Sequence, residues 1–254
     1  MLNLIKYEFI KKSRLLLITA VASLAANILL ILNNESGSIL FISLFPIVVG
    51  ILYTVDILKM YSDDLNKKSG YMLFMTPNSG YKIIVSKLFT AVIEGFAILF
   101  TYFIYILING SYIIYKSGNM IKINEIIVVV NKLISGNFGL NLGHIFMFLI
   151  TALLFLISFL TTAYTAMTIR KSIFSEIKFG GALSFLIFLL LNWLLSTISS
   201  ELFDLLPTYY SSFASYPTAS ELVYILLPIN IVSIVQIIVL TLCSGYLLEH
   251  KINL

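Results

Sequence analysis

YSDDLNKKSGYMLFMTPNSGYKIIVSK, residues 61–87, is the stretch on which the interpretation of the whole chain depends. Both of its ends are polar, but residues 71–75 are five large apolar side chains in a row. Ser69 can cap a short helix whose first backbone N–H groups would otherwise be unpaired, and Thr76-Pro77 ends that helix. An apolar helix between two membrane-length apolar runs is suited to insertion into a groove on another protein.

The chain on both sides of this stretch is strongly apolar. Hydrophobic residues make up 59% of its 254 residues and charged residues 11%, whereas soluble domains average about 25% charged residues. Six apolar runs reach roughly 20 residues, the length at which a helix crosses a hydrocarbon core of about 30 Å. The connecting segments are too short for a soluble domain, so we predict an all-α, polytopic membrane protein with one transmembrane domain, residues 1–254. The six runs are residues 15–32, 39–60, 83–108, 143–169, 179–199 and 222–248.

The basic residues predict the orientation of the spans. With the amino terminus inside, 13 of the 16 Lys and Arg residues lie in inner segments, and Lys116, Lys122 and Lys132 remain outside. Short loops rich in Lys and Arg stay on the cytoplasmic side. We therefore expect a multi-pass protein of the cell membrane, with both termini and the loop of residues 61–82 in the cytoplasm. The net charge of +4 follows from this topology and does not indicate nucleic-acid binding.

The first 14 residues, MLNLIKYEFIKKSR, place apolar side chains at helical spacing with lysines on the rest of the wheel. This pattern predicts an amphipathic helix that lies in the inner interface and leads into the first span. A signal peptide is the alternative interpretation. The apolar run continues past Ala26 to Leu32 and five more runs follow, which favours a retained span.

Two acidic residues lie at membrane depth or near it. Glu94 is in the third span, where Ala91 and Gly95 on the same face permit a close helix approach, so its carboxyl is expected to face protein or a cavity. It would serve either in a buried interhelical hydrogen bond, or as a protonated carboxyl, or in a substrate or proton pathway. Asp56, near the inner end of the second span, either pairs with Lys59 three residues later or lines such a pathway.

Two apolar segments on the predicted outer side are too short to be spans. Residues 122–134 repeat apolar side chains with helical period, which predicts an outer interfacial helix. Residues 202–216, before the sixth span, are too apolar for a free loop and predict a re-entrant helix and turn. Tyr209 and Tyr210 in that segment would anchor it to headgroups, or take part in closing the exit of a pathway.

Motifs for catalysis and nucleotide binding are absent from the sequence. The dipeptide Gly-Lys does not occur, so no phosphate-binding G-x-x-x-x-G-K-[ST] loop is present, and neither is H-E-x-x-H or G-x-S-x-G. His144 has no other metal-ligating residue at suitable spacing, and Cys243 is the only cysteine. We expect a protein that is not an enzyme and that binds no metal or cofactor of its own.

The amphipathic start with IKYEF, followed after the second span by an acidic-basic run and GYMLFMTPNSGYKIIVSKL, resembles the second type of ATP-binding-cassette exporter permease. That family comprises six-span membrane subunits of bacterial drug, peptide and bacteriocin-immunity exporters. The resemblance implies a re-entrant outer segment before the last span and a coupling helix, residues 69–76, that contacts a separate ATPase subunit. The coupling residues that it implies are Ser69, Gly70, Tyr71, Leu73, Phe74, Thr76, Pro77, Gly80, Tyr81 and Lys87.

The resemblance implies a transport mechanism. Two copies of the chain, or this chain and a similar permease, would form the pathway, and two ATPase subunits carrying ATP and Mg would drive alternating access. A lipophilic drug, a lantibiotic-like or bacteriocin-like peptide, or a lipid would leave the cytoplasm. One alternative is a proton-coupled secondary carrier that uses Glu94 and Asp56 as titrating groups. The other is a membrane scaffold or regulator without transport.

Overall fold

A computed structural model describes residues 2–33, 35–66, 79–116, 142–174, 180–204 and 219–250. This described part of the chain is helical apart from single residues at two helix ends, and it contains no strand. The six helices are α1 (Leu2–Asn33), α2 (Glu35–Asn66), α3 (Gly80–Lys116), α4 (Leu142–Ile173), α5 (Gly180–Asp204) and α6 (Ala219–His250).

All six helices are long and apolar enough to cross a membrane, as the apolar runs predict. The described part of the chain is thus all-α, as predicted, and its six apolar helices indicate a multi-pass membrane protein. Helices suit this environment because each backbone N–H and C=O finds its partner within the same segment. The helices are longer than the apolar runs, and α2 and α3 both extend to the borders of the predicted coupling helix.

Several finer features of the prediction lie outside the described residues: the coupling helix, the outer interfacial helix and most of the re-entrant segment. The amino-terminal segment is described from residue 2 onwards. It forms the first turns of α1, which continues without interruption from Leu2 to Asn33. A location of these first turns in the membrane interface stays a prediction.

The chain divides into two compact units. The first contains α1, α2 up to Met60 and α3 from Ser86. The second contains the last turns of α2, residues 61–66, the first turns of α3, residues 80–85, and all of α4, α5 and α6. The helix ends that flank the predicted coupling helix thus belong to the unit that holds α4 and α6.

In the first unit, α1 and α3 pack side by side in a parallel register. Four pairs of polar side chains join the two helices, and the partners are separated by 79 residues in one pair and by 82 in the other three. A nearly constant number of residues between the partners requires that both helices run in the same direction, as expected for the first and third spans. The pairs are Glu8 with Lys87, Lys12 with Glu94, Ser23 with Tyr105 and Asn27 with Asn109.

Aromatic residues fix α2 against α3 in the same unit. Phe45 stacks on Tyr102 with ring centroids 5.7 Å apart and meets Tyr105 edge-on at 5.0 Å. Further along, the Tyr53 hydroxyl donates to the Ala91 carbonyl at 2.6 Å and lies so close to Gly95 that a β-carbon there would be 2.9 Å from it. The small pair Ala91 and Gly95 therefore permits the close approach that the sequence predicts.

The second unit is built around α4, which packs against both α5 and α6. The buried face of α4 carries hydroxyl side chains that donate to carbonyls three or four residues earlier on the same helix. Small hydroxyl residues allow neighbouring helices to approach without leaving polar groups unpaired. One of them, Thr165, also lies 3.3 Å from the Leu240 carbonyl of α6.

Candidate functional site

The first candidate site comprises the two helix ends on either side of the predicted coupling helix. Ser69, Gly70, Tyr71, Leu73, Phe74, Thr76 and Pro77 lie outside the described residues. Gly80 and Tyr81, at the start of α3, are described and belong to the second unit. The geometry of this site is therefore defined by what holds the end of α2 and the start of α3.

The end of α2 is attached to α4. Tyr61 is completely buried, and its ring stacks on Tyr164 with centroids 4.3 Å apart. Its hydroxyl lies 2.5 Å from that of Thr168; since Thr168 donates to a carbonyl of its own helix, Tyr61 is the donor in this pair. The last residue of α2, Asn66, accepts a hydrogen bond of 2.7 Å from Nη2 of Arg170. Three successive contacts thus join the last turns of α2 to α4.

The start of α3 is attached to α6. The Gly80 N–H, a first-turn donor without an intrahelical acceptor, donates to Oε1 of Glu249 at 2.8 Å. A β-carbon on Gly80 would lie 2.8 Å from the Gly245 carbonyl oxygen and 2.9 Å from Cβ of Leu248, so only glycine fits there. A β-carbon on Gly245 would in turn overlap the ring of Tyr81. Glycines on both helices permit this close contact.

Both ends of the segment between α2 and α3 are therefore held within one compact unit, one by α4 and the other by α6. A displacement of that segment would act on these two helices first. Gly80 and Tyr81 are among the residues predicted from the sequence, whereas their partners on α6 are not. Glu249 lies near the end of the last span and has no local signal that would pair it with residue 80.

The second candidate site is a cluster of buried charges in the first unit. Asp56 and Glu94, the two acidic residues predicted for a pathway, both contact Nζ of Lys12. The bond from Lys12 to Oε2 of Glu94 measures 2.8 Å. The exposed fraction is 6% for the Lys12 side chain, 4% for Glu94 and 17% for Asp56. The structure thus brings the two predicted acidic residues together around Lys12, which the sequence predicts only as a cytoplasmic charge on the amphipathic first helix.

The predicted pairing of Asp56 with Lys59 is wrong. Lys59 is exposed, and the described cation in contact with Asp56 is Lys12 of α1. Pairs at spacing i, i+3 on a helix surface contribute only about 0.2–0.5 kcal/mol. Leaving a buried carboxylate without its counter-ion costs much more free energy than losing such a surface pair, above all when a second carboxylate lies nearby.

Lys87, which the family resemblance places at the exit of the coupling helix, lies in the first unit. Its Nζ donates to Oε1 of Glu8 at 2.6 Å, and its side chain is only 1% exposed. Gly80 and Tyr81, by contrast, belong to the second unit. The remaining predicted pathway residues, Tyr209 and Tyr210, lie outside the described residues.

An apolar cavity of about 410 Å³ adjoins the charge cluster in the first unit. Side chains of α1, α2 and α3 line it, and Glu94 is the charged residue among those described. The cluster holds two carboxylates, of Asp56 and Glu94, around one ammonium group, of Lys12. If all three groups are ionised, one negative charge is in excess. The arrangement has the capacity to hold one more proton or an organic cation beside an apolar chamber.

The described residues contain no group of three or more His, Cys, Asp or Glu side chains arranged to hold a metal ion. Comparison with protein-family models, with curated proteins and with solved structures found no match for the chain. The functional conclusions below consequently depend on the residues of this chain and on the resemblance noted from its sequence.

Proposed function

We propose that this chain is the membrane-spanning permease subunit of an ATP-driven exporter of the ATP-binding-cassette type. It would move a lipophilic drug, a lantibiotic-like or bacteriocin-like peptide, or a lipid out of the bacterial cytoplasm. The chain itself performs no chemical step. A separate ATPase subunit, present in two copies, binds ATP and Mg and hydrolyses the ATP.

The observation that best supports this proposal is the attachment of the helix ends around residues 67–78. Asn66 is hydrogen-bonded to Arg170 of α4, and Gly80 to Glu249 of α6. Between these two points the sequence carries the apolar run of residues 71–75. A segment that presents apolar side chains to a partner, and whose two ends are fixed to two different spans, can pass a movement of the partner to those spans.

In the proposed cycle the ATPase subunits bind the coupling helices, residues 69–76, from the cytoplasm. ATP-driven closure of these subunits displaces each coupling helix, and α4 and α6 follow because the flanking turns are packed on them. The pathway forms between two permease copies, or between this chain and a similar permease. It then alternates between inward and outward access, with the amino-terminal interfacial helix and the re-entrant outer segment at its two borders.

The test is the enzymatic activity that accompanies the purified chain. We predict that the affinity-tagged wild-type chain, extracted from its native host in mild detergent, carries vanadate-sensitive ATPase activity. Phe74→Asp places a charge in the apolar run and should reduce this activity at least tenfold, because a charged side chain buried without a partner costs several kcal/mol at an interface.

The matched control is Asn78→Asp, which adds the same charge four residues later, outside the apolar run. It should retain most of the ATPase activity, and both variants should be inserted at the wild-type level. Wild-type activity in Phe74→Asp, or its loss in both variants, would refute the docking role of residues 71–75. If the wild-type chain carries no ATPase activity at all, a scaffold or regulator becomes the better description.

A second candidate function, a proton-coupled secondary carrier, is favoured by one observation. Glu94 lines an apolar cavity and belongs to a cluster with more carboxylates than ammonium groups. Under this hypothesis the chain alone, reconstituted in proteoliposomes, would take up a lipophilic cation in response to a pH gradient, and Glu94→Gln would abolish the uptake. The exporter proposal expects no uptake without the ATPase subunit.

A further inference from the structure

A pocket of about 350 Å³ in the second unit contains a cation that the exporter proposal does not use. Its described lining comes from α2, α4 and the first turns of α5, and includes no carboxylate. Arg170 is the charged residue in this lining. The lining residues are Ser62, Asn66, Met167, Arg170, Gly180, Gly181 and Ser184.

Arg170 is buried, with 9% of its surface exposed. Its Nη2 donates to Asn66, but its Nε–H is buried and has no hydrogen-bond partner in the described part of the chain. An amide oxygen carries no net charge, so among the described residues this hydrogen bond gives the guanidinium an acceptor but no counter-ion. A buried donor of this kind loses its hydration without compensation, which is unusual enough to require a reason. A bound anion would supply both the missing acceptor and the missing charge.

The amino terminus of α5 points to the same kind of ligand. The guanidinium of Arg170 lies against Gly180, so closely that a β-carbon on that glycine would overlap Nη1. Gly180 and Gly181 open a helix of 25 residues, and the first backbone N–H groups of a helix have no intrahelical acceptor. Those N–H groups and the helix dipole favour an anion at this position. The arginine and the helix terminus thus converge on one space.

Hydroxyl groups complete the lining of the pocket. Ser62 and Ser184 lie on α2 and α5, and the hydroxyl of Ser184 already donates to the Gly180 carbonyl. The side chain of Asn66 donates to the Ser62 carbonyl, which holds its oxygen toward Arg170. Planar guanidinium groups, helix amino termini and hydroxyls are the usual partners of tetrahedral phosphate oxygens. The guanidinium of Arg170 and the helix terminus therefore suit a phosphate group.

We propose that this pocket binds a phosphate group, with Arg170 as the principal ligand and the first N–H groups of α5 as additional donors. The phosphate belongs either to a phospholipid headgroup or to free phosphate. The predicted topology places Arg170 at the inner membrane surface, where anionic headgroups are abundant. The proposal does not depend on the exporter function, because it needs only the contacts of the second unit.

The test measures the thermal stability of the purified full-length chain in dodecyl maltoside. Inorganic phosphate, phosphatidylglycerol and diacylglycerol, which has the same acyl chains but no phosphate, are titrated separately, since a ligand that binds the folded state raises the melting temperature with its concentration. Phosphatidylglycerol should stabilise the chain if the site takes a headgroup, and inorganic phosphate should do so if it takes free phosphate. Equal stabilisation by diacylglycerol and phosphatidylglycerol with none by inorganic phosphate, or no stabilisation by any of the three, overturns the proposal.

Two variants and one control locate the binding. Arg170→Gln should weaken it roughly tenfold to a hundredfold, the contribution of one charge-assisted partner. Gly181→Glu places a carboxylate in the pocket, and because no described atom outside the neighbouring helix backbone lies within 4 Å of the added β-carbon, the helix accommodates it and the anion is displaced. Lys171→Gln removes the same charge one residue away and should bind like the wild type. Unchanged binding in Gly181→Glu, or equal weakening in Lys171→Gln, refutes the site.

Discussion

The two compact units each bury basic side chains, but they neutralise them differently. In the first unit Lys87 is paired with Glu8, and Lys12 with Glu94 and Asp56. In the second unit Arg170 meets only the amide of Asn66 in the described part of the chain. Buried cations with carboxylate partners on neighbouring helices hold those helices together. A buried cation that lacks such a partner, next to an open pocket, is arranged to receive a ligand.

This difference predicts a large stability effect in the first unit. Replacing Lys87 by Met leaves the carboxylate of Glu8 buried and without its counter-ion, which should reduce the free energy of unfolding by about 3–5 kcal/mol. Equilibrium denaturation in detergent micelles measures the loss. The double variant Glu8→Gln, Lys87→Met should recover a large part of it, because the uncompensated charge is then removed.

Lys82→Met is the control for this comparison. Lys82 is exposed on the same helix, so its replacement should change the free energy of unfolding by no more than about 0.5 kcal/mol. If Lys87→Met reduces the free energy of unfolding no more than Lys82→Met does, the ion pair does not hold α1 to α3. The same conclusion follows if the double variant is no more stable than Lys87→Met alone.

In the second unit, replacing the buried Arg170 should reduce the free energy of unfolding much less. Arg170→Gln loses a hydrogen bond to Asn66 but also removes a buried charge for which the described residues provide no counter-ion, and the two effects partly cancel. In the absence of phosphate we expect a decrease in the free energy of unfolding of about 1 kcal/mol, measured in the same denaturation experiment. A loss as large as that of Lys87→Met would show that Arg170 is a structural partner, and the contrast between the units would disappear.

Much of the fold could be predicted from the sequence, since each of the six described helices coincides with one of the six apolar runs, and only residue 179 of those runs lies outside them. The ends of the helices could not be predicted. The length of an apolar run matches the thickness of the hydrocarbon core, whereas the helix itself continues into the polar interface. Thus α2 extends to Asn66 and α3 begins at Gly80, at polar or small residues. It is these extra turns that contact α4 and α6.

The candidate sites were only partly predictable for a different reason. The burial of Glu94 follows from its neighbours Ala91 and Gly95, but counting Lys and Arg for topology treats every lysine as a solvated loop residue. Lys12 and Lys87 were both counted in this way, although they are buried. The same count treats Arg170 as a solvated loop residue, although it is buried as well.

One sequence signal does indicate the pairing of α1 with α3. The polar residues Lys12, Ser23 and Asn27 are spaced by 11 and 4 positions, and so are Glu94, Tyr105 and Asn109 on α3. Equal intervals on two spans that run in the same direction predict matched contacts across them. The contacts of Arg170 have no comparable signal, because they join three helices at single positions.

The central claim, that an ATPase subunit binds residues 71–75 from the cytoplasm, is tested most directly by chemical labelling of one position. Cys243 is the only cysteine, so a Cys243→Ser chain carrying Phe74→Cys has a single thiol. A membrane-impermeant maleimide should label this thiol in inside-out vesicles and not in intact spheroplasts. Removal of peripheral proteins with urea should increase the labelling several-fold. Labelling of intact spheroplasts, or labelling that urea leaves unchanged, would contradict the account.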